Sequence, residues 1–430
     1  SKCRANSLLA ELSEHLHSPA FRDAHRVNPS DFTRKRCLTV PTLVGFMLQH
    51  SGNQSVQASL DRFFTSLGGH AHVVRGATKS ALCQARRKLK ASALHALNRL
   101  WVDGWHAQDF YARWQGLRVV AADGTCLRLP RWGENVQAFG AGPCKDGSVV
   151  MARAVALLSV ATGQFLDVRL GAYEQGERAL LMGALDALRA DDVLVLDRGY
   201  PAWWLFAALQ ARKLNFCARI DACGWPDVAR LLRSSAREVV LTHRLLPATR
   251  QAVLALGLPC PETIQVRLVK VTLPNGHIEV LATSLVDTER YRADTFSALY
   301  ARRWAIEEAF KTIKHRLHIE GWSGELPQAI EQDVVAKILM HNITEALCEK
   351  AQQALPADIC NTSRVNHAYA LTHLHALIVA WIGSNADALH RVLDAAVSLI
   401  GRTRDKIRPG RSFERKHRVG GAQRPRRPYR

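Results

Sequence analysis

Two apolar runs, each ending in an aspartate, constrain this chain more than any other feature. LRVVAADGTCLRLP (117–130) reads as a β-strand that carries Asp123 into a turn at Gly124. DVLVLD (192–197) reads as a short buried strand ending on Asp197, with Arg198, Gly199 and Tyr200 behind it. Two β-rich stretches, 148–163 and 164–173, lie between them around a Thr-Gly turn, followed by a helix at about 175–190. A helix at 201–213 and the strand NFCARI (215–220) come next. The order of three strands, helix, strand, helix, strand predicts an α/β fold with a mixed sheet flanked by helices. The first three strands suit an antiparallel meander and the later ones parallel pairing through helical crossovers. Strand-end carboxylates on neighbouring strands of such a sheet converge at one edge.

The flanks read differently. Residues 1–115 show helical spacing at 39–52, 55–69 and 77–101, the last with Thr78 or Ser80 as its cap. The same region carries the basic clusters FTRKR (32–36) and ARRKLK (85–90), which suit a DNA-binding region. Residues 222–287 read as a β-rich insertion, from the stretches 237–246, 263–273 and 278–286. A long helix is expected over about 289–318, with further helices over 327–400. The expected organisation is therefore a helical region (1–115), a first part of the core (116–221), the insertion (222–287), a core segment with one long helix (288–325), a helical C-terminal region (326–401) and a basic tail (402–430).

Charge points to the partner. The chain carries a net +20 at a pI near 9.9. Residues 402–430 hold twelve Lys/Arg against Asp405 and Glu414, a net +10 and half of that total. A polyanion is the natural counterpart, because neutralised phosphates release counterions. Ten cysteines are scattered without a CxxC pair, which argues against a zinc site and for a reduced, cytoplasmic protein. No apolar run reaches a membrane span, no signal peptide is expected, and no Walker A loop marks a nucleotide enzyme.

A third carboxylate completes a chemical pattern. Glu307 lies in YARRWAIEEAFKTIKHRLH (300–318). At about 100° per residue, Tyr300, Arg303, Glu307 and Lys314 share one helical stripe, whereas Glu308 points about 100° away. Alone, each acid has an ordinary explanation: an Asp-Gly turn, an Asp at a strand end, a solvated Glu on a helix. Together, three carboxylates without thiolate or imidazole make a hard oxygen site suited to Mg²⁺ or Mn²⁺.

The spacing Tyr300-x2-Arg303-x3-Glu307-x6-Lys314 resembles the signature of one group of bacterial insertion-sequence transposases, the YREK or family-four group of the DDE type. ADGT around Asp123, LDRGY around Asp197 and RPGRSFERKHR near the C-terminus resemble the same group. The resemblance covers about residues 30–418 and implies an RNase H-like core with the β-rich insertion placed before the Glu-bearing helix. It further implies that Asp123, Asp197 and Glu307 are catalytic and hold two Mg²⁺ ions, with Mn²⁺ as a substitute. Tyr300, Arg303 and Lys314 are implied to contact DNA near its terminal phosphate. The implied partners are double-stranded DNA, both the element's terminal inverted repeats and the target, engaged by a dimer in the bacterial nucleoid. Related enzymes use hairpin intermediates and a tryptophan that stacks on a flipped base; Trp225 is the candidate here, and Trp304 and Trp322 read as packing residues. An RNase H-like nuclease without strand transfer and a non-catalytic DNA-binding regulator are the competing expectations.

Overall fold

Six helices precede the first strand of the sheet in the computed structural model, which describes residues 4–50, 54–107, 110–144, 147–273, 276–383 and 386–408. They are α1 (Arg4–His17), α2 (Pro19–His25), α3 (Val40–Gln49), α4 (Val56–Leu67), α5 (Lys79–Arg87) and α6 (Ser92–His106). Local chemistry sets their ends. Thr39 and Thr42 form a reciprocal capping box before α3, with proline in its first turn. Thr78 caps α5 by accepting from the Ala81 amide at 3.2 Å, so of the two residues expected as its cap, Thr78 fills the role.

The central sheet is built from β1 (Arg118–Arg128), β2 (Ala141–Cys144), β3 (Gly147–Ser159), β4 (Gln164–Ala172), β5 (Asp192–Leu196), β6 (Asn215–Ile220), β7 (Glu238–Arg244), β8 (Thr263–Thr272) and β9 (Ile278–Thr283). Its helices in chain order are α7 (Gly133–Phe139), α8 (Glu177–Ala184), α9 (Trp203–Ala211), α10 (Pro226–Arg233), α11 (Pro247–Leu254), α12 (Phe296–Ala301) and α13 (Trp304–His315). Strands β4, β3 and β1 form the antiparallel meander, and β5 and β6 add in parallel beyond β1. This order, β4-β3-β1-β5-β6, is the RNase H-like arrangement, an α/β fold with a mixed sheet. Apolar residues alternate between two faces. Val120, Leu194 and Leu196 join the larger core, and Val119, Val193 and Val195 a second cluster on the opposite face.

Two expectations are revised. The 222–287 segment is not a separate β body, because β9, β8 and β7 continue the same sheet antiparallel from β6. Without β9, the buried strand β6 would present an unpaired edge. The expected single helix over 289–318 is also broken. A 3₁₀ turn (Ala293–Thr295) leads into α12, and a turn at Arg302–Arg303 separates α12 from α13. Phe296, Leu299 and Tyr300 of α12 bury in the second cluster, whereas Ile306, Phe310 and Ile313 of α13 bury in the larger core. One straight helix cannot cover both faces of a sheet.

The C-terminal part comprises α14 (Pro327–Gln353), α15 (Ala357–Cys360), β10 (Ser363–Val365), α16 (His367–Ile382), α17 (Ala386–Arg402) and β11 (Arg404–Lys406). The first residues of the expected basic tail are thus folded: Arg402 ends α17, and β11 pairs antiparallel with β10. The remainder, 409–430, lies outside the described residues. Helix α14 is buried around its whole circumference and packs against the N-terminal helices α3 and α6 and against β4. One polar clasp crosses this core. Arg86 of α5 donates to Gln332 (2.9 Å), the Ala329 carbonyl (2.7 Å) and Asp333 (2.9 Å), and also to Ser323.

Candidate active site

Register brings the two aspartates level. β1 and β5 begin with a buried, two-pronged ion pair, Arg118 Nε to Asp192 Oδ1 at 2.6 Å and Nη2 to Oδ2 at 2.7 Å. Arg118 stands opposite Asp192 in the ladder, and the pairing runs in step to Ala121 opposite Val195. Two residues further on, the chain reaches Asp123 and Asp197 on the same face of the sheet. Each carboxylate is fixed by a nearby amide: Gly124 donates to Asp123 Oδ1 at 2.8 Å, and Gly199 to Asp197 Oδ1 at 2.8 Å.

The break between α12 and α13 supplies the third acid. Glu307 stands in the first turn of α13. Arg303, nearly buried, reaches between the acids, with Nη2 at 2.7 Å from Glu307 Oε1 and Nη1 at 3.9 Å from Asp123 Oδ2. Among the described residues its buried Nε has no hydrogen-bond partner. The three carboxylates feel one another. Burial pushes Asp123 up to about 6; the Gly124 amide and Arg303 pull it down, and the charges of Asp197 and Glu307 push it up again.

Lys314, two turns along α13, lies against β1. It donates to the Thr125 hydroxyl and, at 3.3 Å, to the Cys126 carbonyl, and burial lowers its pKa. Tyr300 does not share one continuous helical stripe with the others, because the chain turns after α12. Its ring is largely buried in the second cluster, with the Arg303 guanidinium 5.9 Å from its centroid. Burial above all pushes its phenol up to about 12, opposed by Arg303 and Arg219 and aided by Asp197 and Glu279.

The tryptophans divide differently from the expectation. Trp225 is half-buried and packs on Trp203 (4.7 Å) and Phe206 (6.0 Å) in an aromatic cluster with α9. Trp322 is buried and donates to the Arg128 carbonyl at 2.9 Å. Trp304 is not a packing residue: it is 47% exposed, with Arg303 5.2 Å over its ring, because it opens α13 where the chain turns outward. Glu177, not singled out from the sequence, also stands here, as the first residue of α8 with its carboxyl group against Gly124. A glutamate in a helix's first turn looks in sequence like ordinary dipole compensation, so only the tertiary contact reveals it.

In donor chemistry the site fits a hard divalent cation. Its acids are oxygen donors alone, and Arg303 is the cation that balances them. Among the described residues no three His, Cys, Asp or Glu side chains are gathered as a ready metal cage.

The family model described as "Transposase DDE domain" matches residues 114–343. A curated relative, "Transposase InsG for insertion sequence element IS4" of Escherichia coli (strain K12), is 24% identical over 271 residues, 61% of this chain and 60% of that protein. Among solved structures, a cryo-EM structure of a piggyBac transposase synaptic complex with hairpin DNA aligns with a TM-score of 0.46 at 10% identity, over 97% of this chain and 89% of that one.

Proposed function

Because this chain belongs to the family of transposases with a DDE domain, we propose that it cuts DNA at the ends of an insertion sequence and joins the freed 3′ hydroxyl to target DNA. The observation that supports this reading best is Arg303 set between Asp123 and Glu307, with the charges of Asp197 and Glu307 both acting on Asp123. The family uses divalent metal ions, and Mg²⁺ is the ion that an all-oxygen donor set favours, with Mn²⁺ able to replace it. Two ions held by these three carboxylates would supply Lewis acidity at the attacked phosphate, for the incoming and the leaving oxygen.

The chain's own residues provide the rest. Gly124 and Gly199 amides orient the aspartates, so their oxygens need little reorganisation when DNA arrives. Arg303, the guanidinium set between Asp123 and Glu307, would meet a terminal phosphate once DNA competes for it. Lys314 adds positive charge beneath the Asp123 turn, and Tyr300 flanks Arg303 from the other face. The exposed indole of Trp304 offers a surface on which an unpaired base can stack. Strand transfer needs two element ends, so the reading includes a dimer in the synaptic complex. It places the protein on bacterial DNA, and no helix among the described residues is long and apolar enough to cross a membrane.

The test is incubation of purified protein with its element's end DNA, target DNA and Mg²⁺, with both strands mapped. Cut ends joined to target are expected. Asp123→Asn, Asp197→Asn and Glu307→Gln are each expected to abolish cutting while leaving end binding in place. Full cutting by any one of them would overturn the triad. Cutting without joined product would favour the nuclease reading, and binding without cutting the regulator.

A further inference from the structure

We propose that Glu177 is a fourth carboxylate of the acidic site, a positioning residue that helps hold the divalent cation, and that the buried Tyr200 hydroxyl is its partner. The inference rests on the metal-dependent reading above.

Three observations converge. First, the Glu177 carboxyl group lies against the backbone of Gly124, next to Asp123. A Cβ on Gly124 would fall 2.4 Å from the Glu177 Cδ, 2.5 Å from Oε1 and 2.6 Å from Oε2. Any residue but glycine after Asp123 would push this carboxylate away, so the Asp-Gly pair makes room for it as well as turning the chain. Second, Tyr200 follows Asp197 by three residues and is fully buried. Among the described residues its hydroxyl has no partner with hydrogen-bond geometry. Burial first, then the charges of Glu177, Asp123 and Asp197, drive its pKa upward, and its approach to the Glu177 carboxylate falls short of a proper bond. A fully buried donor within the electrostatic reach of Glu177, Asp123 and Asp197, and without a well-formed hydrogen bond among the described residues, is satisfied by a small shift of the Glu177 carboxylate toward it. Third, α8 is anchored to the Asp197 loop from the same turn. Arg178 donates to the carbonyls of Gly199 (2.9 Å), Tyr200 (3.0 Å) and Pro201 (3.2 Å). The helix that presents Glu177 therefore moves with Asp197.

The competing role for Glu177 is a partly exposed ion pair with Arg153, Nη1 to Oε1 at 3.0 Å. Exposed pairs of this kind contribute little, and among the described residues this one leaves the second carboxylate oxygen, Oε2, without a salt bridge.

The deciding experiment titrates the full chain with Mn²⁺ alone and follows binding by water-proton relaxation, without DNA and without an activity readout. Glu177→Gln is expected to weaken Mn²⁺ binding about tenfold, the size of effect seen when a supporting group of a metal site is removed. Glu177→Asp should fall between the two. Tyr200→Phe should weaken binding in the same direction by a smaller factor. Arg153→Met, which breaks the same ion pair, should leave it unchanged. Asp123→Asn separates the two layers of the argument. If it leaves Mn²⁺ binding intact, the metal-dependent reading itself fails. If it abolishes binding while Glu177→Gln has no effect, or if Arg153→Met matches Glu177→Gln, only the role of Glu177 is overturned.

Discussion

Burying Asp123 beside two other carboxylates works against the fold at neutral pH. Its pKa stands near 6 rather than the usual 3.8, chiefly through burial, so the folded chain holds a proton more tightly there than the unfolded one. That stabilisation is complete below about pH 4 and is lost as pH rises through 6. Asp123→Asn is therefore expected to raise the stability of the metal-free protein at pH 7 by up to about 3 kcal/mol, at 1.36 kcal/mol per pKa unit. The gain should fade as pH falls toward 4, and urea melts in chelator at several pH values measure it. Added Mn²⁺ should reverse the order of the two proteins, since only the carboxylate binds it. Lys314→Ala removes a charge held under the Asp123 turn by Thr125 and Cys126. It is expected to slow cutting or weaken end binding, with a salt slope shallower by about one phosphate contact. An unchanged rate and slope would make it a strut for β1 alone.

At the scale of elements, the ion pair at the start of β1 and β5 controls what happens at their far ends. Arg118 and Asp192 are both almost completely buried. Arg118→Met would leave the Asp192 charge without its main partner, which costs about 3–5 kcal/mol, and a denaturation midpoint shift in that range is the expected result. A variant that also carries Asp192→Leu should recover much of the loss. The strands on either side of this pair were legible because VVAAD and VLVLD are apolar to their last residue, and buried strands ending in a charge have few other places to go. The place of 222–287 was not legible. IQVRLVKV alternates equally well for a separate barrel or for the rim of a larger sheet, and only the open edge of β6 decides. The break at Arg302–Arg303 was hidden because every residue from 296 to 315 is compatible with a helix. What interrupts the helix is that its two apolar stripes belong to opposite faces of the sheet. Asp123 and Asp197 stood out as acids at strand ends and Glu307 by its helical stripe, but Glu177 did not, since its neighbour Gly124 is 53 residues away in the chain.

Across the whole molecule, a few buried charges fasten the core, while much of the surplus positive charge lies near the end of the chain. The clasp of Arg86 on Gln332, Ala329 and Asp333 fastens the N-terminal helices to α14, and α14 in turn lies against β4. The basic residues gather instead toward the chain's end, with eight Lys/Arg against one acid in 409–430. Truncation after Arg408 keeps β11 paired with β10 and should leave the melting temperature unchanged. It should lower affinity for nonspecific DNA in low salt and flatten its salt dependence; equal affinity at 50 mM salt would argue that this segment does not touch DNA. The crossing of the sheet edge between α12 and α13 has a further consequence, for synthesis rather than for chemistry. Asp123 and Asp197 emerge from a ribosome long before Arg303 and Glu307, which follow only after more than two thirds of the chain has been made. A polypeptide released after Asp197 but before Arg303 carries the pair of aspartates but neither the third acid nor the arginine between them. On the proposed reading, products that stop short of Glu307 are harmless to the DNA they are made beside, because the capacity to cut arrives only once Glu307 has been made.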